Sequence, residues 1–327
     1  SQPVELPRWM DLVHLPAINL SLAFAVSAGV LLLIGQDPGQ VLSLLVKGAF
    51  GSPSGLSYTL FYATDMIFAG LAVAIAFKCG LFNIGVEGQA AIGGLALALV
   101  CLGLDAALPA VLLLPLAILG GAAGGALWGA VPGWLQAWRG SHIVITTIMF
   151  NFIAAALMGY LLVNVLKEPG NMAPESRAFA DAAHLPGMHE LLAWLGIEWP
   201  RTPLNVSLLM ALAAAVLVYL ALWRSLPGYA LRAGGFSPEA ARYAGIAPKA
   251  QIMRSMLFSG ALAGMVGINE IAGVHHRLMA EFVAGAGFAG IAVALIGRNH
   301  PVGIVLAALL FGALYQGGAE LAFEIQG

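Results

Sequence analysis

Charge is what this chain has least of. Only 9% of its 327 residues are Asp, Glu, Lys or Arg, against roughly 25% in soluble domains, which excludes a water-soluble globule. The net charge of −2 and isoelectric point near 6.4 leave no basic field for nucleic acid. Cysteine is nearly absent: Cys79 and Cys101, both in apolar context, support neither a disulfide framework nor a metal cluster. No GxxxxGK[ST] phosphate loop occurs, so the chain supplies no ATPase of that kind. No HExxH motif and no serine or cysteine with a nearby base marks a catalytic centre. The opening "SQPVELPRWMDLVH" has Glu5 and Asp11 but no basic start or small-residue cleavage site, so no cleavable signal is expected. A start without Met and the ending "LAFEIQG" lead to the expectation that the sequence is trimmed at one or both ends.

What is present is apolar. Hydrophobic residues make up 60% of the chain, the mean hydropathy is +0.90, and an α-helix needs roughly 20 apolar residues to cross a bilayer. Such runs lie near 15–34, 59–77, 88–103, 108–130, 142–166, 204–223, 254–274, 283–297 and 301–318. A weaker run at 41–50 ends in "GSPSG" and reads as a short surface or partial helix. The expectation is an all-α, polytopic transmembrane protein, residues 1–327 forming one membrane domain with about nine spans, and a tenth absent from the sequence given. With the amino terminus in the cytoplasm, nine of the 14 basic residues fall inside: Arg8, Lys78, Arg139, Arg224, Arg232, Arg242, Lys249, Arg254 and Arg298. Lys47, Lys167, Arg177, Arg201 and Arg277 fall outside. That excess follows the positive-inside rule. It places 224–254, with Glu239 as its lone acid, in the cytoplasm, and the acid-rich loop 167–203 outside.

Glycine carries two further signals. Gly121, Gly125, Gly129 and Gly133, echoed by Gly120 and Gly124, form a ridge of small residues that lets another helix approach closely. "FKCGLFNIGVEGQAAIGG", Phe77 to Gly94, breaks an apolar region with Asn83, Glu87 and Gln89. "GINEIAGVHHRLMAEFVAGAGFAG", Gly267 to Gly290, does the same after a helix of opposite direction. Paired interruptions of that kind suggest inverted repeats with a pathway between them.

The segment "RSLPGYALRAGGFSPEAARYAGIAPKAQIMRS" encodes one short helix, Pro238 to Ala244. Ser237 suits the N-cap, Pro238 the first helical position and Glu239 the positive helix end, while Gly245 and Pro248 supply the stop. Such a helix either lies on the lipid surface or enters a groove on another protein; its alanine-rich composition favours the second.

Taken in order, "GLFNIGVEGQ", "TTIMFNFIA", "LRAGGFSPEAARYAGI", "SGALAGMVG" and "GFAGIAVALIGRNHPVGI" resemble the permease subunits of bacterial ATP-binding-cassette importers, in the branch with ribose-type and branched-chain amino acid permeases. "FNIGVEGQ" is similar to the subgroup for nucleosides and related simple-sugar compounds. The resemblance implies a fold like that of the vitamin B12 importer and a place in the bacterial inner membrane. It also implies a second, often different, permease chain, a partner ATPase that holds ATP and Mg, and an extracytoplasmic substrate-binding protein. It assigns ATPase coupling to Ser237, Pro238, Glu239, Ala241, Arg242, Tyr243 and Gly245. Here Gly235 and Phe236 stand where relatives commonly show "AVGxN".

Under the same resemblance, Phe82, Asn83, Glu87 and Gln89 line or support the translocation pathway, joined by Asn151, Asp65, Asn269 and Glu270. Amides and carboxylates suit a neutral hydroxyl-bearing or nucleobase ligand. The alternative is that these groups cap broken helices. Relatives often have an apolar residue or proline at Asp65. His275 and His276 are adjacent, too close in sequence for a helical metal pair, and are expected at a surface or in a loop. The leading reading is therefore a non-catalytic pore subunit with no cofactor of its own, moving a nucleoside or alternatively a sugar such as ribose or galactose. A secondary transporter using Asp65, Glu87 or Glu270 as proton carriers is the other reading, and it would not need the 238–244 helix.

Overall fold

The computed structural model describes residues 14–326. The expected cytoplasmic placement of the amino terminus with Arg8 falls outside the described residues. Thirteen α-helices follow in order: α1 Leu15–Leu33, α2 Pro38–Phe50, α3 Pro53–Lys78, α4 Val86–Leu104, α5 Ala110–Trp134, α6 Ile143–Asn164, α7 Met188–Trp194, α8 Ser207–Trp223, α9 Leu226–Phe236, α10 Pro238–Tyr243, α11 Pro248–Gly264, α12 Ala286–Ile296 and α13 Pro301–Gln326. Wide π-helical turns extend α5 at Leu135–Arg139 and follow α11 at Ile268–His275. Among the described residues no strand occurs, only isolated bridges such as Lys167 with Ser176 and Glu175 with Met279.

Each of the nine apolar runs contains a helix, yet not each is a full span. Six helical stretches are long and apolar enough to cross a membrane, or eight if two bent pairs each count as one span. The bent pairs are Ser21–Leu33 with Pro38–Phe50, and Ser207–Trp223 with Leu226–Phe236, turning by 113° and 71°. Capping explains these corners. Asp37 accepts from the amides of Gly39 (2.7 Å) and Gln40 (3.3 Å), and Ser225 accepts from Gly228 (3.1 Å). Each starts a new helix with a proline in its first turn, where the missing N–H costs nothing.

Helix α3 forms the centre. Phe68, Ile67 and Leu71 are fully buried, and α2, α8, α11, α12 and α13 all pack against this helix. The expected glycine ridge is the seam between α5 and α11. A Cβ on Gly125 would collide with the Gly260 carbonyl, and one on Gly264 with the Gly121 carbonyl. Gly120 and Gly124 form a second face of α5, turned towards Val100 and Ala96 of α4. Bare backbone on both sides lets three helices share one close-packed wall, where dispersion rather than water exclusion drives association.

The loops gather at two opposite ends. At one end, Arg177 grips Asp105 beyond the end of α4 through two charge-assisted bonds of 2.8 and 2.9 Å. There the loop 175–187 is also stitched to 272–279: Ser176 donates to Leu278 (3.0 Å), Phe179 to His276 (2.7 Å) and Leu185 to Ala272 (2.9 Å), and Arg277 pairs with Glu175 at 2.9 Å. The Arg177 guanidinium holds the Asp105 carboxyl below the usual carboxylate range. At the other end lie α9, α10 and the close approach of Gly80 to Gly235.

Candidate functional site

The break after α3 is built around Asn83. Gly80 takes φ +76, a left-handed turn glycine adopts at little cost, and the chain re-enters the bundle without helical hydrogen bonds until Val86. Irregular backbone at membrane depth needs partners from the protein, and amide side chains provide them. Asn83 is fully buried; its Nδ2 donates to Gln89 Oε1 (3.0 Å) and Ser259 Oγ (2.9 Å), and its Oδ1 accepts from the Gly85 amide (2.9 Å). Ser259 in turn donates to the Ala72 carbonyl at 2.6 Å. Asn151 of α6 closes the other side: it accepts from Gly88 N and donates to Ile84 O, both at 2.9 Å.

Glu87 occupies the junction of two helix starts. It lies in the first turn of α4, and its Oε1 and Oε2 accept from the amides of Gly285 (3.0 Å) and Gly287 (2.8 Å) at the start of α12. Helix α4 runs from here to Asp105 at the Arg177 end, whereas α12 runs to the opposite end, where His300 meets Trp223 with ring centroids 5.0 Å apart. Two interrupted helices thus start side by side and leave in opposite directions, with a carboxylate between their positive ends. The chain entering α12 is bent: Glu281 and Ala284 have φ of +58 and +49, a conformation costing non-glycine residues of order 1–3 kcal/mol.

A cavity of about 470 Å³ opens there, lined among others by Glu87, Gly88, Asn151, Glu281 and Phe282. Of the pathway residues expected from sequence, Glu87 and Asn151 border it. Asn83 and Gln89 are buried beneath it, and the half-buried Phe82 ring packs edge-on against Phe77 at 5.0 Å.

The remaining three form a separate network. Asn269, on the π-helical turn, donates to Asp65 Oδ1 (3.0 Å) and accepts from Asn205 (3.0 Å) and Ser207 (2.7 Å). Glu270 lies beside Asp65 and faces His275 across 3.3 Å. Asn205 and Ser207 were not singled out from sequence; "PLNVS" at the head of a helix signals a cap, while its partner 64 residues away leaves no local trace. The two histidines do sit at the loop end. His276 stacks on His184 with ring centroids 3.7 Å apart, and burial, then the His184 ring, push its pKa below the ordinary imidazole value.

At the opposite end α10 forms as expected, over Pro238–Tyr243, with Ser237 Oγ accepting from Ala240 N at 3.3 Å; the expectation of one helix in this segment is corrected, because Ser225 and a first-turn proline also start α9 over Leu226–Phe236. Gly245, at φ +78, ends it through bonds from Gly245 N to Arg242 O (3.0 Å) and Ile246 N to Ala241 O (2.9 Å). Ala241 is buried against the chain's own bundle, so the outward face is Pro238, Glu239, Arg242 and Tyr243, beside the exposed Phe236.

These features define a polytopic helical membrane protein with a polar, doubly interrupted centre and a capped helical knob at one end. The chain belongs to the branched-chain amino acid transport system / permease component family, whose model matches residues 55–325. It is similar to the guanosine ABC transporter permease protein NupP of Bacillus subtilis, with 39% identity covering 94% of this chain and 86% of that one. The glucose ABC transporter permease protein TsgB13 of Haloferax volcanii is 36% identical over 98% and 84% of the two chains. The nucleoside ABC transporter permease protein NupB of Lactococcus lactis is 32% identical over 93% and 83%. The chain is thus an ABC transporter permease, and its relatives are membrane subunits rather than enzymes. No solved structure matches it.

Proposed function

We propose that this permease forms part of the pathway of a nucleoside importer. Carrying this reading is the 39% identity with a guanosine permease across nearly the whole chain, in which "GLFNIGVEGQ" supplies both the buried Asn83 network and Glu87 at the cavity. Glu87 and Asn151 at the cavity wall offer an acceptor and a donor to ribose hydroxyls and base edges; the amides of Gly285, Gly287 and Phe288 leave part of the carboxylate's roughly four lone-pair sites open. We assign ATP and Mg to a partner ATPase that receives α10, whose exposed Tyr243 and Phe236 suit a protein groove better than water. The loop 167–203 then faces an extracytoplasmic binding protein. A second permease chain of related sequence, an inner-membrane location, a cytoplasmic amino terminus, a cytoplasmic 224–254 segment, inverted repeats and a fold like the vitamin B12 importer complete the proposal. The antiparallel start of α4 and α12 supports the repeats.

One observation favours a second reading, a sugar: the 36% identity with a glucose permease. Uptake of labelled guanosine and of labelled glucose, in cells producing the whole transporter with this permease present or deleted, separates the two. Guanosine uptake that depends on this chain supports the proposal; dependence of glucose uptake alone sinks it in favour of the sugar.

A further inference from the structure

Helix α8 packs on α3, α9 and α13, and between it and α11 a groove of about 530 Å³ remains. Its walls are apolar: Ala214, Leu217 and Val218 from α8, Phe258 and Leu262 from α11, and Met265 at the C-cap of α11. Polar groups meet only at the end where α8 stops and α11 begins, where Ser225, Gln251 and Arg254 complete the lining. From Arg254 the groove follows α11 to Met265 at its C-cap, eleven steps of the helical rise or about 16 Å, the reach of much of an acyl chain.

The end with Arg254 is charged in one sense. Residues 224–254 hold Arg224, Arg232, Arg242, Lys249 and Arg254 against Glu239 alone. Arg254 is exposed, and among the described residues no carboxylate pairs with it. Gln251 is buried to 4% exposure and its Oε1 has no protein partner. At the same end Gln251 Oε1 is an open acceptor for a headgroup hydroxyl, whereas the Ser225 hydroxyl already donates to the Ala221 carbonyl. An apolar trough capped by an unpaired guanidinium is complementary to one kind of molecule, with an acyl chain and a negative head.

We propose that this groove is a binding site for an anionic phospholipid of the leaflet on the α9–α10 side, its acyl chain between α8 and α11 and its phosphate against Arg254. A bulk lipid merely filling the gap would show no selection for headgroup. The site lies apart from the cavity at Glu87, so it stands whether or not the substrate assignment does.

Native mass spectrometry tests it on the full chain purified with its co-purifying subunits, incubated with equal amounts of phosphatidylglycerol and phosphatidylcholine of identical acyl chains. Wild type is expected to retain phosphatidylglycerol over phosphatidylcholine by about fivefold, the effect of one basic residue at the membrane surface. Arg254→Gln should bring that ratio to about one, while Arg201→Gln at the opposite end leaves it unchanged. Filling the trough with Ala214→Phe should lower retention of both lipids. A ratio of one in wild type, or an undiminished ratio in Arg254→Gln, overturns the proposal. Because Arg254→Gln changes only an exposed side chain, a folding defect does not confuse that comparison, and the elution volume on gel filtration verifies it.

Discussion

Glu87 Oε2 accepts from the amide of Gly287 at 2.8 Å while Oε1 accepts from Gly285 at 3.0 Å. One carboxylate therefore ties together two helix starts some 200 residues apart in sequence.

Replacing it with an amide turns one acceptor into a donor facing a backbone donor, and removes the charge that both helix ends favour. Glu87→Gln is expected to lose about 2 kcal/mol, read as a fall of several degrees in the thermal midpoint of purified protein. Glu87→Gln with an unchanged midpoint would contradict the bridging role.

Asn83 is enclosed by Gln89, Ser259 and Gly85, so its side chain acts on the fold before it acts on substrate. Asn83→Ala orphans several buried groups at roughly 1–3 kcal/mol each. It should reduce the folded yield sharply, with the substrate KM of the surviving transporter unchanged. Asn151→Ala, at the cavity wall, should instead raise KM. A shifted KM in Asn83→Ala at normal yield would contradict this division.

The seam between α5 and α11 has no room for a side chain at Gly125. Gly125→Val should cost about 1–3 kcal/mol by overpacking, whereas the same change at Gly159, which meets nothing within 4 Å, should be nearly neutral. Comparing the two thermal midpoints checks the packing.

Acid should loosen the loop end through His276. Its folded pKa is depressed, so the neutral ring is favoured on folding, and its contribution is complete above the unfolded value near 6.5. The contribution is lost as pH falls from there through the folded value. Around the ring, His184 and His275 oppose protonation and Asp181 favours it, with desolvation the largest cause. His276→Asn, able to hold the left-handed φ of 51°, is expected to shrink the drop in thermal midpoint between pH 7.5 and 5.5. An identical drop in both proteins would remove His276 from the account.

Much of this architecture was legible because its causes are local. Apolar runs placed the helices, and Ser237, Pro238 and Gly245 placed α10, because capping acts within a few residues. The run 283–297 was not legible as a short helix. Hydropathy counts apolar side chains whether or not the backbone is helical, and Gly285 at φ +82 delays α12 to Ala286. The polar residues at 82–89 were recognisable as a group, but their division into cavity wall and buried scaffold depends on Ser259, Gly285 and Gly287, which arrive from distant sequence. The same holds for Asn269 with Asn205, and for Arg177 with Asp105. Pairings of this kind follow from which segments share an end, something periodicity does not encode.

The claim that this permease draws its energy through α10 is tested most directly by co-purification. The full chain would be extracted gently from its native membrane beside a variant with Pro238–Tyr243 scrambled, and the bound ATPase quantified against permease. A stoichiometric ATPase with the unaltered chain, lost in the scrambled one at equal permease yield, is the predicted result. An ATPase held equally by both, or by neither while the chain alone moves solute down an ion gradient, would contradict it.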